Sequence, residues 1–272
     1  MRGYCLRQIC RCLGYCEQAY YQWRSRKQLR MCRQARVVAA VKALRKYLPS
    51  LGARKLQHQL AQWQLVLGRD QLLDILRANQ LLIKPKRSYR TTTQSSGHST
   101  FADLRFLPTA PNQLWVADIT FLRVQHRFQF LALITDAYSR CIVGYHLAQD
   151  LSAHTALAAL RQALTIGRCV PQGLVHHSDR GLQYTAHSYV QLLRKAGIGS
   201  SVSQHGSPYE NPQAERINGI LKQEFQLGKT FASEEQLKRH VHYAIFAYNC
   251  LRPHTACQFK TPLQQHLSPN PP

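Results

Sequence analysis

The sequence predicts an α/β fold: a mixed five-stranded sheet with flanking helices, preceded by an all-α helix-turn-helix region. Three observations carry this expectation. Apolar runs separated by short turns follow one another from residue 114 to 147. Beyond them, helix-like and strand-like segments alternate as far as residue 203. Ahead of them, apolar side chains recur at helical spacing with glycine-containing turns between.

In order, residues 4 to 24 suggest a helix, a turn and a helix. Leu6, Ile9, Cys10 and Leu13 are spaced for one helix face, Gly14 interrupts, and Ala19 to Trp23 resume. Such a pair either docks on DNA or packs, with Tyr20, Tyr21 and Trp23 covering a core. Residues 24 to 36 are rich in Arg and Lys and suit a solvated helix surface. Val38, Val41, Leu44 and Leu48 mark the next helix, Leu51-Gly52 a turn, and Leu56 with Leu60 another helix. Asp70 is the expected N-cap of a third, with Leu72, Leu73, Leu76 and Leu81 as its apolar contacts. Residues 84 to 111 are basic, polar and poor in apolar anchors, as a linker is.

The sheet begins near Asn112. Residues 114 to 124 are apolar on both faces and predict a central strand. Strands over 128–136 and 141–147 follow through short turns, an antiparallel meander. A helix over 153–166 then crosses to a strand at 173–177, which is therefore parallel to the first. A helix over 185–196, a short fifth strand at 199–203 and a helix after Asn211-Pro212 complete a ribonuclease-H-like order. Residues 232 to 249 predict a last amphipathic helix, with Leu237, Val241, Ile245 and Tyr248 on one stripe.

The chain of 272 residues carries 36 Lys plus Arg against 13 Asp plus Glu, a formal net charge of +23. That excess points to a polyanionic partner, with nucleic acid first and an anionic membrane surface second. No apolar run is long enough to span a bilayer, and no signal core follows the basic start, so a cytoplasmic location is expected. Of nine cysteines, Cys5, Cys10, Cys12, Cys16 and Cys32 crowd the first segment. Cys12 and Cys16 lack a matching second pair for zinc, so reduced thiols are expected rather than a metal site.

Against this basic background three acids stand out. Asp118 interrupts the apolar run Leu114 to Leu122, with no basic residue within four positions. Asp179 ends Gly173 to Asp179, 60 residues further on, and Glu215 follows after another 35. A buried carboxylate is costly unless compensated, and hard divalent cations compensate carboxylates best. The strand order brings Asp118 and Asp179 to neighbouring strands, and the helix after Pro212 lays Glu215 across the same edge. Asp136, at a strand end before a turn, is expected to cap that turn. Glu224 lies about 13 Å beyond Glu215 along a helix and is expected to be exposed. Lys222 returns to the face of Glu215 two turns on, which suits a phosphate backbone; the alternative is a solvated lysine. His177 and Arg180 flank Asp179 and either position DNA or water or, for His177, sit in the core.

The segments Trp115-Val116-Ala117-Asp118-Ile119-Thr120, His177-Ser178-Asp179-Arg180-Gly181-Leu182-Gln183-Tyr184 and Gly206-Ser207-Pro208-Tyr209-Glu210-Asn211-Pro212-Gln213-Ala214-Glu215-Arg216 resemble the integrase core of bacterial insertion-sequence transposases. More narrowly, they resemble the second-reading-frame product of copy-and-paste insertion sequences, related to retroviral integrases. Tyr248 to His254 and Lys260-Thr261-Pro262 are similar to the closing motif of that family, where Arg252 either pins the chain end or touches DNA. Glu210-Asn211-Pro212 departs from the commonest wording, Asp-Asn-Ala, but keeps an acid and an Asn before the helix.

The resemblance implies a DDE transposase that cleaves 3′ ends and transfers strands, with Asp118, Asp179 and Glu215 as catalytic residues and ligands of two Mg2+ (or Mn2+). It implies DNA contact by Lys222, and by Arg180 and His177 beside the second acid. It implies DNA as partner, both element ends and target, a homo-oligomer on that DNA, and fusion to or action with the upstream-frame product. The helical region then recognises terminal repeats. The divisions expected are 1–36 (basic helical segment), 37–83 (helix-turn-helix-like), 84–111 (linker), 112–230 (integrase catalytic core) and 231–272 (C-terminal helix and tail). The alternatives are a DNA-binding regulator or inactive relic, and a ribonuclease acting on hybrid duplexes.

Overall fold

Three sheet strands are built from the densest apolar sequence in the chain, and they set the rest of the larger unit. The computed structural model describes residues 5–83, 107–166, 172–202 and 212–268. Most of the expected linker, the Glu210-Asn211 turn, Cys169 and the last four residues lie outside the described residues. The chain forms two compact units, Met1–Lys46 with Gly52–Lys84, and Tyr47–Leu51 with Pro85–Pro272.

The first unit is helical. Helix α1 (Leu6–Cys12) ends before Gly14, whose φ of +72° lets the chain reverse. Helix α2 then runs unbroken over Glu17–Tyr47. The division expected at 36/37 falls inside it, because no Gly or Pro occurs between 17 and 47. What changes there is burial: residues 21–36 are exposed, and Val37, Val41 and Leu44 are buried. Tyr21 and Trp23 are also exposed and cover no core. Helices α3 (Ala53–Gln62) and α4 (Arg69–Ala78) bury Leu56, Leu60, Leu72, Ile75 and Leu76. The N-cap of α4 is Gly68 rather than Asp70, which sits in the first turn and still faces the positive helix end. The Gln57 amide donates to the Leu67 carbonyl at 2.7 Å, and the Arg45 guanidinium donates to the Leu81 carbonyl.

In the second unit, β1 (Leu114–Val124), β2 (Arg127–Asp136) and β3 (Ile142–Ala148) form the meander. Helix α5 (Ala153–Ile166) leads to β4 (Val175–Ser178). The helix expected over 185–196 is α7 (His187–Lys195), and a short helix that the sequence did not announce, α6 (Leu182–Thr185), precedes it across the extended backbone of Ala186. Strand β5 (Gly199–Val202), helix α8 (Pro212–Glu224), β6 (Thr230–Phe231), α9 (Glu234–Cys250) and α10 (Pro262–Leu267) follow.

The strand order is β3-β2-β1-β4-β5, with β1–β2 and β2–β3 antiparallel and β1–β4 and β4–β5 parallel. The sixth strand, β6, pairs in parallel with the far end of β1 at Arg123 and Val124. Two residues are too few to leave a period in the sequence.

Strand alternation gives the sheet two buried faces. Trp115 and Ala117 join Ala132, Ile134, Ala156, Leu160, Tyr189 and Leu193 on one. Leu114 and Val116 join Ala137 and Ala214 of α8 on the other. Arg252, only 2 % exposed, donates from Nε and Nη2 to both carboxylate oxygens of Glu224 at 2.7 Å each. Glu224 is therefore not the exposed acid expected, because the chain end folds back on it. No helix among the described residues is long and apolar enough to cross a membrane.

Candidate active site

The β1–β4 register decides where the first two acids lie. Leu114 pairs with Val175 and Val116 with His177, so the end of β4, with Asp179 just beyond it, runs beside the stretch of β1 that carries Asp118. Strand β4 ends at Ser178, so Asp179 opens the loop and is exposed. Its Oδ1 accepts the Gly181 N–H at 3.0 Å.

Helix α8 supplies the third acid and two further groups. Its first turn is fixed by Ala214, which packs with Leu114 and Val116, and by the Gln213 amide, which donates to the Ala137 carbonyl at 3.0 Å. One turn on, Asn218 Nδ2 donates to Asp118 Oδ2 at 2.7 Å. Glu215, Asn218 and Lys222 lie at i, i+3 and i+7 and so share the face turned to Asp118.

Asp118 Oδ1 accepts the Ile119 N–H at 2.8 Å. Burial nevertheless pushes its carboxyl up to about 6, against those two hydrogen bonds, and the negative charges of Asp179 and Glu215 add to the rise. Desolvation also raises Glu215. Lys222 is lowered by burial, and the Asp118 carboxylate partly offsets this. The three acids and Lys222 thus form one electrostatic group.

Asn218 was not singled out from sequence, although its place three residues after Glu215 was a usable signal. Its Oδ1 is buried and has no hydrogen-bond partner among the described residues. The same holds for the hydroxyl of Tyr184, whose pKa is raised by burial, by Tyr189 and by the charges of Asp118 and Asp179.

The other candidates separate clearly. Asp136 is fully buried and accepts from Asn112 N (2.7 Å), Ser139 N (2.7 Å) and Ser139 Oγ (2.6 Å), so it caps its turn as expected. His177 is 4 % exposed and its Nδ1 lies 3.1 Å from Ser201 Oγ on β5, which puts it in the interior rather than on a DNA-facing surface. Arg180 is exposed. The eight described cysteines are free thiols.

Three carboxylates, one of them pushed towards protonation chiefly by burial, are a donor set suited to hard divalent cations. Among the described residues no three His, Cys, Asp or Glu side chains are gathered closely enough to hold an ion as they stand. Asp179 and Glu215 are both exposed, and exposed rotamers interchange in nanoseconds or less; Asp179 would release the Gly181 N–H on turning towards Asp118.

A sheet in this order with acids at its central edge defines the class. Two integrase core domain models match the chain, over residues 108–208 and 196–262. An insertion element IS600 protein of 31 kDa from Shigella sonnei is 35 % identical over 227 residues, covering 79 % of this chain and 81 % of the relative. The transposase InsF of insertion sequence IS3A from Escherichia coli K12 is 27 % identical over 272 residues, covering 95 % and 93 %. The fold also matches the integrase of a simian T-cell lymphotropic virus intasome complex, with TM-score 0.51, 20 % identity, and 86 % of this chain and 76 % of that one covered.

The chain belongs to the insertion-sequence transposases that carry an integrase core. It is a DNA transposase of the DDE polynucleotidyl-transferase type.

Proposed function

We propose that Asp118, Asp179 and Glu215 are the catalytic carboxylates, and that this transposase cleaves the 3′ ends of its element and joins each freed 3′-hydroxyl to a target phosphate. The observation that carries this reading is the Asp118 carboxylate held by Asn218 of α8, on the helix face that also carries Glu215, with Asp179 just past the end of the neighbouring strand. Asp118, central on β1, with Asp179 and Glu215 would hold two divalent cations, Mg2+ or Mn2+. When bound, such a pair supplies an activated attacking oxygen and a stabilised leaving oxygen.

The chain's own residues do the positioning. Asn218 holds one oxygen of Asp118 and the Ile119 amide holds the other, so the carboxylate plane is fixed. The Gly181 turn holds Asp179. Lys222 and Arg180 offer cations to the DNA backbone on either side of the acids. In each step one P–O bond forms and one breaks at the same phosphorus, first with water and then with the 3′-hydroxyl as nucleophile. No covalent protein intermediate is needed. Element ends and target are the DNA partners, held by a homo-oligomer in the cytoplasm, with the upstream-frame product fused to the chain or beside it. The helical first unit recognises the terminal repeats.

Strand-joining assays on labelled element ends with Mn2+ test this. Asp118→Asn, Asp179→Asn and Glu215→Gln should each abolish joining while DNA binding persists. Full joining by any one of them removes that residue from the site.

A further inference from the structure

We propose that the sheet face beyond the start of α5 is a stacking platform for unpaired nucleotides of DNA, built from Phe121, Phe128 and Phe130 with Arg123. Strand alternation and register place these four on one face: Phe121 pairs with Phe130, and Arg123 with Phe128. It is the face that carries Trp115, Ala117 and Ala132 further along, where α5 covers it. Helix α5 lies so close at Gly144 that an added Cβ would sit 2.8 Å from Ala163 Cβ. Its first turn reaches the next row, where the His154 and His146 rings are 6.2 Å apart. The rows of Phe130 and Phe128 lie past that end.

The uncovered rings are large and ordered with respect to each other. Phe121 is 52 % exposed and Phe128 50 %. Phe121 meets Phe130 edge-to-face at 5.4 Å and Phe128 edge-to-face at 6.5 Å. The Arg123 guanidinium lies 5.2 Å from the Phe128 ring centre. Between Asp118 and Asp136 the sequence holds no acid, and Arg123, His126 and Arg127 are all exposed at the hairpin end.

Charge complementarity therefore selects a polyanion over an apolar partner. Exposed rings beside cations suit unpaired bases, whose π-faces a duplex keeps inside its own stack. Phe121 follows Asp118 by three residues, about 10 Å along β1, and lies on the opposite face of the sheet, so the platform is a surface separate from the acids. The inference rests on the chain being a DNA transposase, not on the roles of the three acids.

The experiment is fluorescence anisotropy on the full chain in chelator, so that no strand is cut, with labelled oligo-dT and a blunt duplex of equal length. Phe121→Ala and Phe128→Ala should each weaken dT binding by about 5- to 100-fold and leave duplex binding within about twofold. Phe128→Trp should keep dT binding. In the unaltered protein, photo-cross-linking of a strand carrying 5-iododeoxyuridine should attach within residues 121–130, a readout that survives if a variant folds badly. Equal losses on both DNAs, no loss on either, or no adduct in that segment would overturn the proposal. So would an Ala variant that shifts the sedimentation of the DNA-free protein, because the rings would then belong to a contact between copies.

Discussion

Replacing Asp118 with Asn should make the metal-free protein more stable, and increasingly so as pH rises. The folded carboxyl, pushed from 3.8 to about 6, binds its proton more tightly than the unfolded one. The sign follows from that. Below the unfolded value both states are protonated and the residue costs nothing. As pH rises through the window between about 4 and 6, the unfolded state ionises first and stability falls. Above the folded value the full cost remains, about 3 kcal/mol at roughly 1.4 kcal/mol per pH unit. Near pH 4.5 the same linkage gives about 1 kcal/mol.

Asn reproduces the neutral acid. Its oxygen can accept from Ile119, and its amide can donate to the buried Asn218 Oδ1 once that side chain turns over. In chelator, thermal unfolding should therefore show Asp118→Asn raising Tm by about 2–4 °C near pH 4.5 and about 6–12 °C near pH 7.5. Added Mg2+ should narrow the gap at the higher pH, because only the parent carries the full set of carboxylates. A variant that melts at or below the parent near pH 7.5, or a gap that ignores pH, would refute the reasoning.

Two further outcomes are expected. Glu224→Ala takes away the carboxylate that pairs with the buried Arg252 at two points, and denaturant titration should show a loss of about 3–5 kcal/mol, with Glu224→Gln milder. Lys222→Ala should weaken binding to all DNA sequences alike and lower the slope of log affinity against log salt by about 1, measured by anisotropy across a salt series; an unchanged slope would mean that the lysine makes no phosphate contact.

Much of this protein is legible in its residues because its signals are local. The apolar run at 114–124 and the short turns after it specify the meander, and the Ala/Leu-rich stretch at 153–166 specifies the crossover helix. Asp118 is legible because it stands in an apolar run with no basic residue within four positions, and Asp179 and Glu215 by their spacing from it. The short α6 was not legible as a separate helix, since the sequence around Ala186 keeps helical character and only its extended backbone divides α6 from α7. The unbroken α2 was misread because burial changes at Val37 while the backbone does not.

The sequence by itself determined the order of strands and helices, the positive charge and the three acids, since periodicity, composition and spacing are properties of neighbouring residues. Only the tertiary structure decided which groups meet. The parallel register brought the end of β4, which Asp179 follows, beside the stretch of β1 that carries Asp118, and the seat of α8 on Ala214 aimed Asn218 at the same carboxylate. The return of the chain end tied Glu224 to the buried Arg252, and the length of α5 left Phe121 and Phe128 uncovered. Each of these is a contact between segments far apart in the chain, and such contacts are fixed by packing across the sheet rather than by anything a local stretch encodes.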